Sequence, residues 1–162
     1  MLFFKIKLKD TKINYKKMIS KEAQKSIKRF KRASSFIGLL YKSPKEMTSG
    51  RMKIGRWFND LQGTVFPKVK GTTKEVIFLD DIRSFKVSTP NSDPQRILLY
   101  FHGGAYSLGS PKSHYALASY LADITKTVVY VPDYRLGPEH KFPAQLEDGI
   151  KSYKFLIDNL GY

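Results

Sequence analysis

At 162 residues, with 41% hydrophobic and 14% aromatic side chains, the chain suffices for one ordinary domain with a packed core, and its composition excludes an intrinsically disordered chain. It contains no cysteine, which excludes a disulfide framework and thiolate metal sites and agrees with a reducing, cytoplasmic setting. The net charge of +15 belongs to the first half, where 20 basic and 5 acidic residues precede Val76, against 9 of each beyond it. Such a block attracts phosphates or anionic lipid, yet basic charge alone carries no specificity, and a solvated Lys-rich surface is the plainer reading.

Met1–Phe4 is apolar, but no positive stretch precedes it and no small-residue cleavage site follows, so it does not read as a signal peptide. Over residues 1–14, Phe4, Ile6 and Leu8 alternate with lysines, a strand-like pattern weakened by its charge density. Ser20 is placed to cap a helix with Glu22 in its first turn. Ala23, Ile27, Phe30, Ala33, Ile37 and Leu40 then recur at helical spacing, with Lys25, Lys28, Arg29 and Arg32 opposite. A membrane-surface helix has this pattern, and so does a cap helix packed on a globular body, which is the preferred reading. Ser43-Pro44 ends it. The longest apolar run, Phe36–Tyr41, falls far short of the roughly 18 residues of a membrane span. A short second amphipathic segment holds Ile54, Trp57, Phe58 and Leu61.

From Lys74 the character changes. Glu75–Leu79 and Ile82–Val87 read as two strands joined at Asp80-Asp81, a carboxylate pair better explained as a solvated hairpin turn than as an acid/base pair. Residues 90–94 form a Pro/Asn/Ser/Asp turn cluster, and Arg96–Phe101 is the continuous apolar run of a strand buried on both faces. Ser113–Thr125 has helical spacing at Tyr115, Leu117, Leu121 and Ile124. Thr127–Val131 is a second buried strand. Pro143–Leu160 reads as a helix with Leu146, Ile150, Tyr153, Phe155 and Ile157 on or near its apolar stripe. An antiparallel start followed by β-α-β-α predicts an α/β fold with a mostly parallel sheet.

The strand Arg96–Phe101 runs directly into His102-Gly103-Gly104-Ala105. Ligands of open α/β sheets gather at the carboxyl ends of strands, and glycines there bring backbone N–H groups close to a ligand, as an oxyanion hole requires. Alone, H-G-G is a weak signal, since glycines after a strand usually make a plain turn. Tyr106–Ser110 continues the loop, and the next strand leads into Asp133-Tyr134-Arg135-Leu136-Gly137-Pro138-Glu139-His140-Lys141-Phe142-Pro143-Ala144 and on to Asp148.

These two blocks resemble the hormone-sensitive-lipase group of α/β-hydrolases, which are carboxylesterases and lipases. In that group an H-G-G-[GA] loop follows one strand and a D-Y-R-L-[AG]-P-E-H-x-F-P-A stretch follows the next. The resemblance covers about 96–162 and, more loosely, the chain from Val76. It implies that residues 74–162 are the N-terminal half of an α/β-hydrolase domain and residues 1–73 a basic, largely helical cap region. By the same resemblance the N–H groups of Gly104 and Ala105, with Gly103 beside them, form the oxyanion hole. Ala105 stands where a third glycine is common, and the hole is expected to survive if its φ is negative. His102 is then a loop-orienting residue and not the triad histidine. Asp133, Arg135 and Glu139 brace the strand-to-helix loop, and Tyr106 either lines the acyl or alcohol pocket or simply packs.

The fold's nucleophile sits on a G-x-S-x-G elbow, and no two glycines of this sequence stand four residues apart. Ser107, Ser110, Ser113, His114 and His140, with Asp133 or Asp148, show no spacing that suggests a substitute elbow. His102, His114 and His140 lack a metal-ligand spacing, and no cofactor is implied. Three readings follow. The chain contributes the oxyanion loop and cap to a serine carboxylic-ester hydrolase that a C-terminal half completes. Or it is an inactive product of a split or decayed gene. Or its basic N-terminus binds an anionic membrane, nucleic acid being the less favoured partner. A chain without the central nucleophile strand is expected to leave apolar strand faces partly uncovered and to be marginally stable.

Overall fold

The computed structural model describes residues 48–160, together with residues 20, 21, 23–25, 27 and 28. The chain divides into two compact units, 1–42 and 43–162. In the first, residues 21–28 are helical where described, and Ser20 Oγ accepts the Ala23 N–H at 3.1 Å, the N-cap bond expected of that serine. The expected strand over 1–14, the apolar run at 36–41 and the helix end at Ser43-Pro44 lie outside the described residues.

The second unit runs α1 (Ser49–Val65), β1 (Thr73–Leu79), β2 (Ile82–Ser88), β3 (Asp93–Leu99), α2 (Tyr115–Thr125), β4 (Thr127–Pro132) and α3 (Ala144–Leu160). The second amphipathic segment of the sequence is thus a helix of 17 residues within the unit 43–162. The sheet order is β1-β2-β4-β3. β1 and β2 form the expected antiparallel hairpin about Asp80-Asp81, β2 pairs antiparallel with β4, and β3 pairs parallel with β4. The class is α/β, as expected, with a mixed sheet: of the three pairings among the described strands only β3 with β4 is parallel, because the antiparallel start makes up half of these four strands.

All six residues of β4 are buried, because the strand is paired on both sides and covered on both faces. Alternation sends Val129 and Val131 to one face, against Phe85, Val87 and the small Ala118 and Ala122 of α2. Val128 and Tyr130 go to the other, against Leu79 and Leu156. α2 ends at Lys126, whose left-handed φ of 55° lets its N–H reach the Ala122 carbonyl before β4 begins. α1 approaches closely at Gly63, where a Cβ would run into the Ser113 backbone.

Two expectations need correction. β3 is not buried on both faces: it pairs only with β4, so it is the sheet edge, and its residues grade from exposed at Asp93 to half-buried at Leu99. An edge strand also tolerates Pro94 within it. The second correction concerns α3. Leu146, Ile150, Tyr153 and Ile157 are exposed, Tyr153 at 59%, and Phe155 is only half-buried. The face turned to the protein carries Asp148, Ser152 and Leu156, four residues apart, with Leu156 only 1% exposed. The apolar stripe was legible as a periodicity, but the buried face was set by a carboxylate with a partner.

This assignment makes a contrast between neighbours. Leu156→Ala should destabilise the unit by about 2–5 kcal/mol, as a large-to-small change in a packed core does, whereas Ile157→Ala should stay within about 0.5 kcal/mol. Urea unfolding followed by circular dichroism measures both, and equal losses would mean that the helix presents the other face.

Candidate active-site loop

The chain leaves β3 through Tyr100, whose N–H still bonds the Tyr130 carbonyl of β4 at 2.8 Å, and enters the loop at His102. The loop turns on one carbonyl. Gly104 O accepts the N–H groups of Ser107 at 3.0 Å and Leu108 at 2.8 Å. Gly104 has φ 131°, and a Cβ there would collide with the Leu108 carbonyl, so the turn requires glycine on both counts.

Ala105 and Tyr106 follow with φ values of 52° and 56°. The condition set for Ala105, a negative φ, is not met: the chain reverses through two consecutive left-handed residues. Each non-glycine residue held there is strained by about 1–2 kcal/mol. Positive φ does not remove the N–H. Among the described residues no acceptor takes the N–H of Gly103, Gly104 or Ala105, and all three residues line one cavity of about 950 Å³. Its wall continues through Tyr106, Phe101, Phe142, Leu146, Ile150 and Tyr153, so backbone donors meet an apolar hollow. Tyr106 is 67% exposed, at the cavity rather than in the core.

His102 is buried beneath the loop. Its ring lies between Tyr134, with centroids 4.3 Å apart at 15°, and His114, at 5.4 Å and 30°. The Tyr134 hydroxyl donates to the His102 carbonyl at 2.5 Å. His102 Nδ1 lies 3.1 Å from the Gly103 carbonyl, which fits a proton on Nδ1 and a lone pair on Nε2. Burial pushes its pKa down to about 4, with the Gly103 carbonyl opposing and His114 reinforcing, so the ring is neutral at pH 7. Burial likewise pushes the Tyr134 phenol up to about 12, which keeps it a donor. Among the described residues His102 Nε2 has no hydrogen-bond partner.

The three charged residues singled out in the sequence all hold the segment after β4, each toward a different element. Asp133 pairs with Arg83 of β2 at 3.3 Å, and burial raises its pKa while Arg83 pulls the other way. Arg135 reaches α3: its Nε donates to Asp148 at 2.9 Å, its backbone N–H donates to the same carboxylate at 2.8 Å, and Glu147 receives its guanidinium at 2.9 Å. Glu139 reaches α1, accepting from Arg56 at 2.8 and 3.1 Å and from the Ser49 hydroxyl at 2.7 Å.

Arg56 went unnoticed in the sequence, one arginine in a Lys-rich block, yet it joins three segments. Its Nε donates to the Ser107 carbonyl of the glycine loop at 2.8 Å, and one terminal nitrogen to the Gly137 carbonyl at 2.5 Å, besides its pair with Glu139. Only a planar guanidinium fork serves a carboxylate and two carbonyls together. Tyr134 was legible only as part of a motif. Behind the loop, the Asp60 carboxylate takes the Ser110 hydroxyl, and Ser113 Oγ lies 3.0 Å from His114 Nδ1. Among the described residues no carboxylate is hydrogen-bonded to a histidine side chain. Nor do three His, Asp or Glu side chains among them gather as a metal site.

Two predictions follow from these pairs. Asp148 is only 1% exposed whereas Arg135 is 40% exposed, so removing either partner is not symmetric. Arg135→Ala strands a buried carboxylate and should cost about 3 kcal/mol, with Asp148→Asn, which keeps an acceptor, costing clearly less; denaturant midpoints of the two variants decide it. Glu139 is held down to about 2 from an ordinary 4.5, chiefly by the Arg56 hydrogen bonds. A depressed carboxylate contributes stability above its unfolded pKa and loses it as pH falls through the folded one. The melting-temperature gap between the native chain and Glu139→Gln should therefore be full at neutral pH and close between about pH 4.5 and 2. A gap that persists at pH 2 would show that the carboxylate's charge is not what holds α1.

Comparison with known proteins places this geometry. Residues 98–161 match the family model described as alpha/beta hydrolase fold. An acetyl-hydrolase of Streptomyces hygroscopicus is 45% identical over 69 residues, covering 43% of this chain and 23% of that protein. Arylacetamide deacetylase-like 2 of Homo sapiens is 36% identical over 89 residues, 53% of this chain and 22% of that one. Among solved structures, a hormone-sensitive lipase from a metagenome library superposes with a TM-score of 0.65 at 28% identity, over 80% of this chain and 43% of that one. A mutant of the esterase E40 gives 0.65 at 26% identity, over 78% and 42%. The match thus spans under a quarter of those curated relatives and about two fifths of those solved chains.

Proposed function

We propose, for a chain that belongs with the α/β-hydrolases of the hormone-sensitive-lipase type, that the loop from His102 to Ala105 is the oxyanion hole of a serine carboxylic-ester hydrolase. The observation that carries this reading is that Gly103, Gly104 and Ala105, whose N–H groups no acceptor among the described residues takes, line an apolar cavity at the carboxyl end of β3. The substrate is a carboxylic ester whose apolar acyl or alcohol group lies along Phe101, Phe142, Leu146 and Ile150, with its carbonyl oxygen directed at the loop. When a serine hydroxyl attacks the ester carbon and a histidine takes the serine proton, the carbonyl oxygen gains the negative charge. Donors already fixed by the Gly104 turn receive that charge without reorganising. The histidine passes that proton to the leaving alkoxide, which departs as the alcohol and leaves the acyl group on the serine; water then attacks the acyl carbon as the histidine takes a proton from it, and return of that proton to the serine oxygen releases the acid.

The serine, its histidine and the acid that orients it are not found in a G-x-S-x-G context within these 162 residues. They come from polypeptide that completes the sheet along the open edge of β3 and covers the apolar face of α3. His102 keeps the loop in register through Tyr134, and Asp133, Arg135 and Glu139 brace the segment that supports it. Burial lowers the His102 pKa to about 4, which makes it a weak base, and it holds the ring beneath the loop away from a reacting serine.

The test is complementation. This chain alone should hydrolyse a short-chain p-nitrophenyl ester no faster than buffer. Co-expressed with a polypeptide of this family that carries the elbow and the later acid and histidine, it should form a complex that hydrolyses the ester. Replacing the Ala105 peptide N–H by an ester oxygen in that complex should cost roughly a hundredfold in kcat. A complex that forms but stays inactive, or an Ala105 backbone change without effect, removes the oxyanion-hole assignment.

A further inference from the structure

α1 packs on the protein through Met52, Gly55 and Gly63, all buried. Ile54, Trp57, Leu61 and Val65 recur at three- and four-residue spacing on the opposite side and face solvent, Trp57 at 65% and Val65 at 80% exposure, and Phe66 continues the row past the helix end. A surface helix normally turns its apolar stripe inward. Here the inward contact is made by one methionine and two glycines, while the large apolar residues point out.

Charge surrounds that stripe asymmetrically. Arg56 and Asp60 lie toward the body, tied to Glu139 and Ser110. Exposed Arg51 and Lys53 lie near its start, and exposed Lys68 and Lys70 follow its end. Within this unit, the stretch from Ser43 to Glu75 holds 7 basic and 3 acidic residues. We infer that the outward face of α1, Ile54, Trp57, Leu61, Val65 and Phe66, docks on an anionic lipid surface, the apolar side chains entering the headgroup boundary and the flanking cations meeting lipid phosphates. A helix of 17 residues with charge on its margins lies in the interface and does not cross it. A second copy is the poorer occupant, because each chain carries +15 and pairing two such faces opposes like charge. Nucleic acid would meet the cations and leave the apolar stripe without a partner. This inference does not depend on the ester-hydrolase reading. It joins it at one point: Arg56 links α1 to the Ser107 carbonyl, so a docked helix holds the glycine loop beside the lipid.

Trp57 is the chain's one tryptophan, which makes the stripe its own reporter. Vesicles of phosphatidylcholine and phosphatidylserine in equal parts should shift Trp57 emission to the blue and shield it from acrylamide, vesicles of phosphatidylcholine alone should do so far less, and added salt should weaken the effect. The double substitution Leu61→Asp, Val65→Asp changes only exposed positions and should leave the circular dichroism spectrum and melting temperature intact while weakening vesicle partitioning roughly tenfold or more. Three outcomes overturn the inference: no Trp57 shift on anionic vesicles, vesicle binding by the Leu61→Asp, Val65→Asp chain equal to that of the native one, or a blue shift that rises with protein concentration without lipid, which would assign the face to a second copy. Loss of ester hydrolysis in the complemented complex leaves all of these readouts untouched.

Discussion

The burial of β4 is the constraint from which the rest of the second unit follows. It is paired on both sides, and its alternating Val128–Val131 residues fill two cores, one under α2 and one under α3. Because β3 pairs parallel with it, the two strands end on the same side of the sheet. The glycine loop after β3 and the Asp133–Glu139 segment after β4 therefore emerge as neighbours. Tyr134 exploits that adjacency, its ring stacked on His102 and its hydroxyl on the His102 carbonyl. The site is a consequence of where parallel strands must end.

What keeps the two loops in place is a set of ionic contacts of unequal kinds. Asp148 is a buried acceptor that gathers a backbone N–H and a guanidinium, so it fixes the start of α3 against the end of β4. Glu139 is a partly solvated acceptor that ties the same segment to α1 through Arg56. The first is costly to leave unpaired and the second is tunable by pH and salt. Strain is concentrated between them, at Ala105 and Tyr106, two left-handed residues that line the cavity. Backbone held in sparsely populated conformations persists when its surroundings over-determine it, and here Gly104, Arg56 and Tyr134 do so from three directions.

Much of this was legible in the residues. The hairpin about Asp80-Asp81, the buried run Thr127–Val131, the helices near 115–125 and 144–160 and the H-G-G loop after a strand all follow from period, punctuation and motif. The failures have physical causes. Arg96–Phe101 reads as buried from its apolar run, but burial also depends on what lies beside a strand, and β3 has a neighbour on one side only. The α3 stripe reads as the packed face because periodicity counts apolar residues, whereas Asp148 turned the other face inward by having Arg135 to meet. The φ of Ala105 could not be read because alanine gives no signal for a left-handed turn. Arg56 was hidden because its partners, Ser107, Gly137 and Glu139, are distant in sequence.

The outward apolar faces of α1 and α3 show the same pattern and call for different occupants. The α3 face is continuous with the cavity and lies on a strand-rich body with balanced charge, 9 basic and 9 acidic residues beyond Glu75. Its natural cover is polypeptide or substrate, since neither lipid phosphate nor polyanion finds an excess of cations there. The α1 stripe residues Ile54, Trp57, Leu61 and Val65 are not among those lining that cavity, and they sit within the basic half of the chain. Apolar surface alone would not separate these cases, because burial of either face gains about the same free energy per unit area. Charge distinguishes them: the proposed completing polypeptide suits the face on the neutral body, the proposed anionic surface suits the face flanked by cations, and Arg56 joins α1 to the glycine loop.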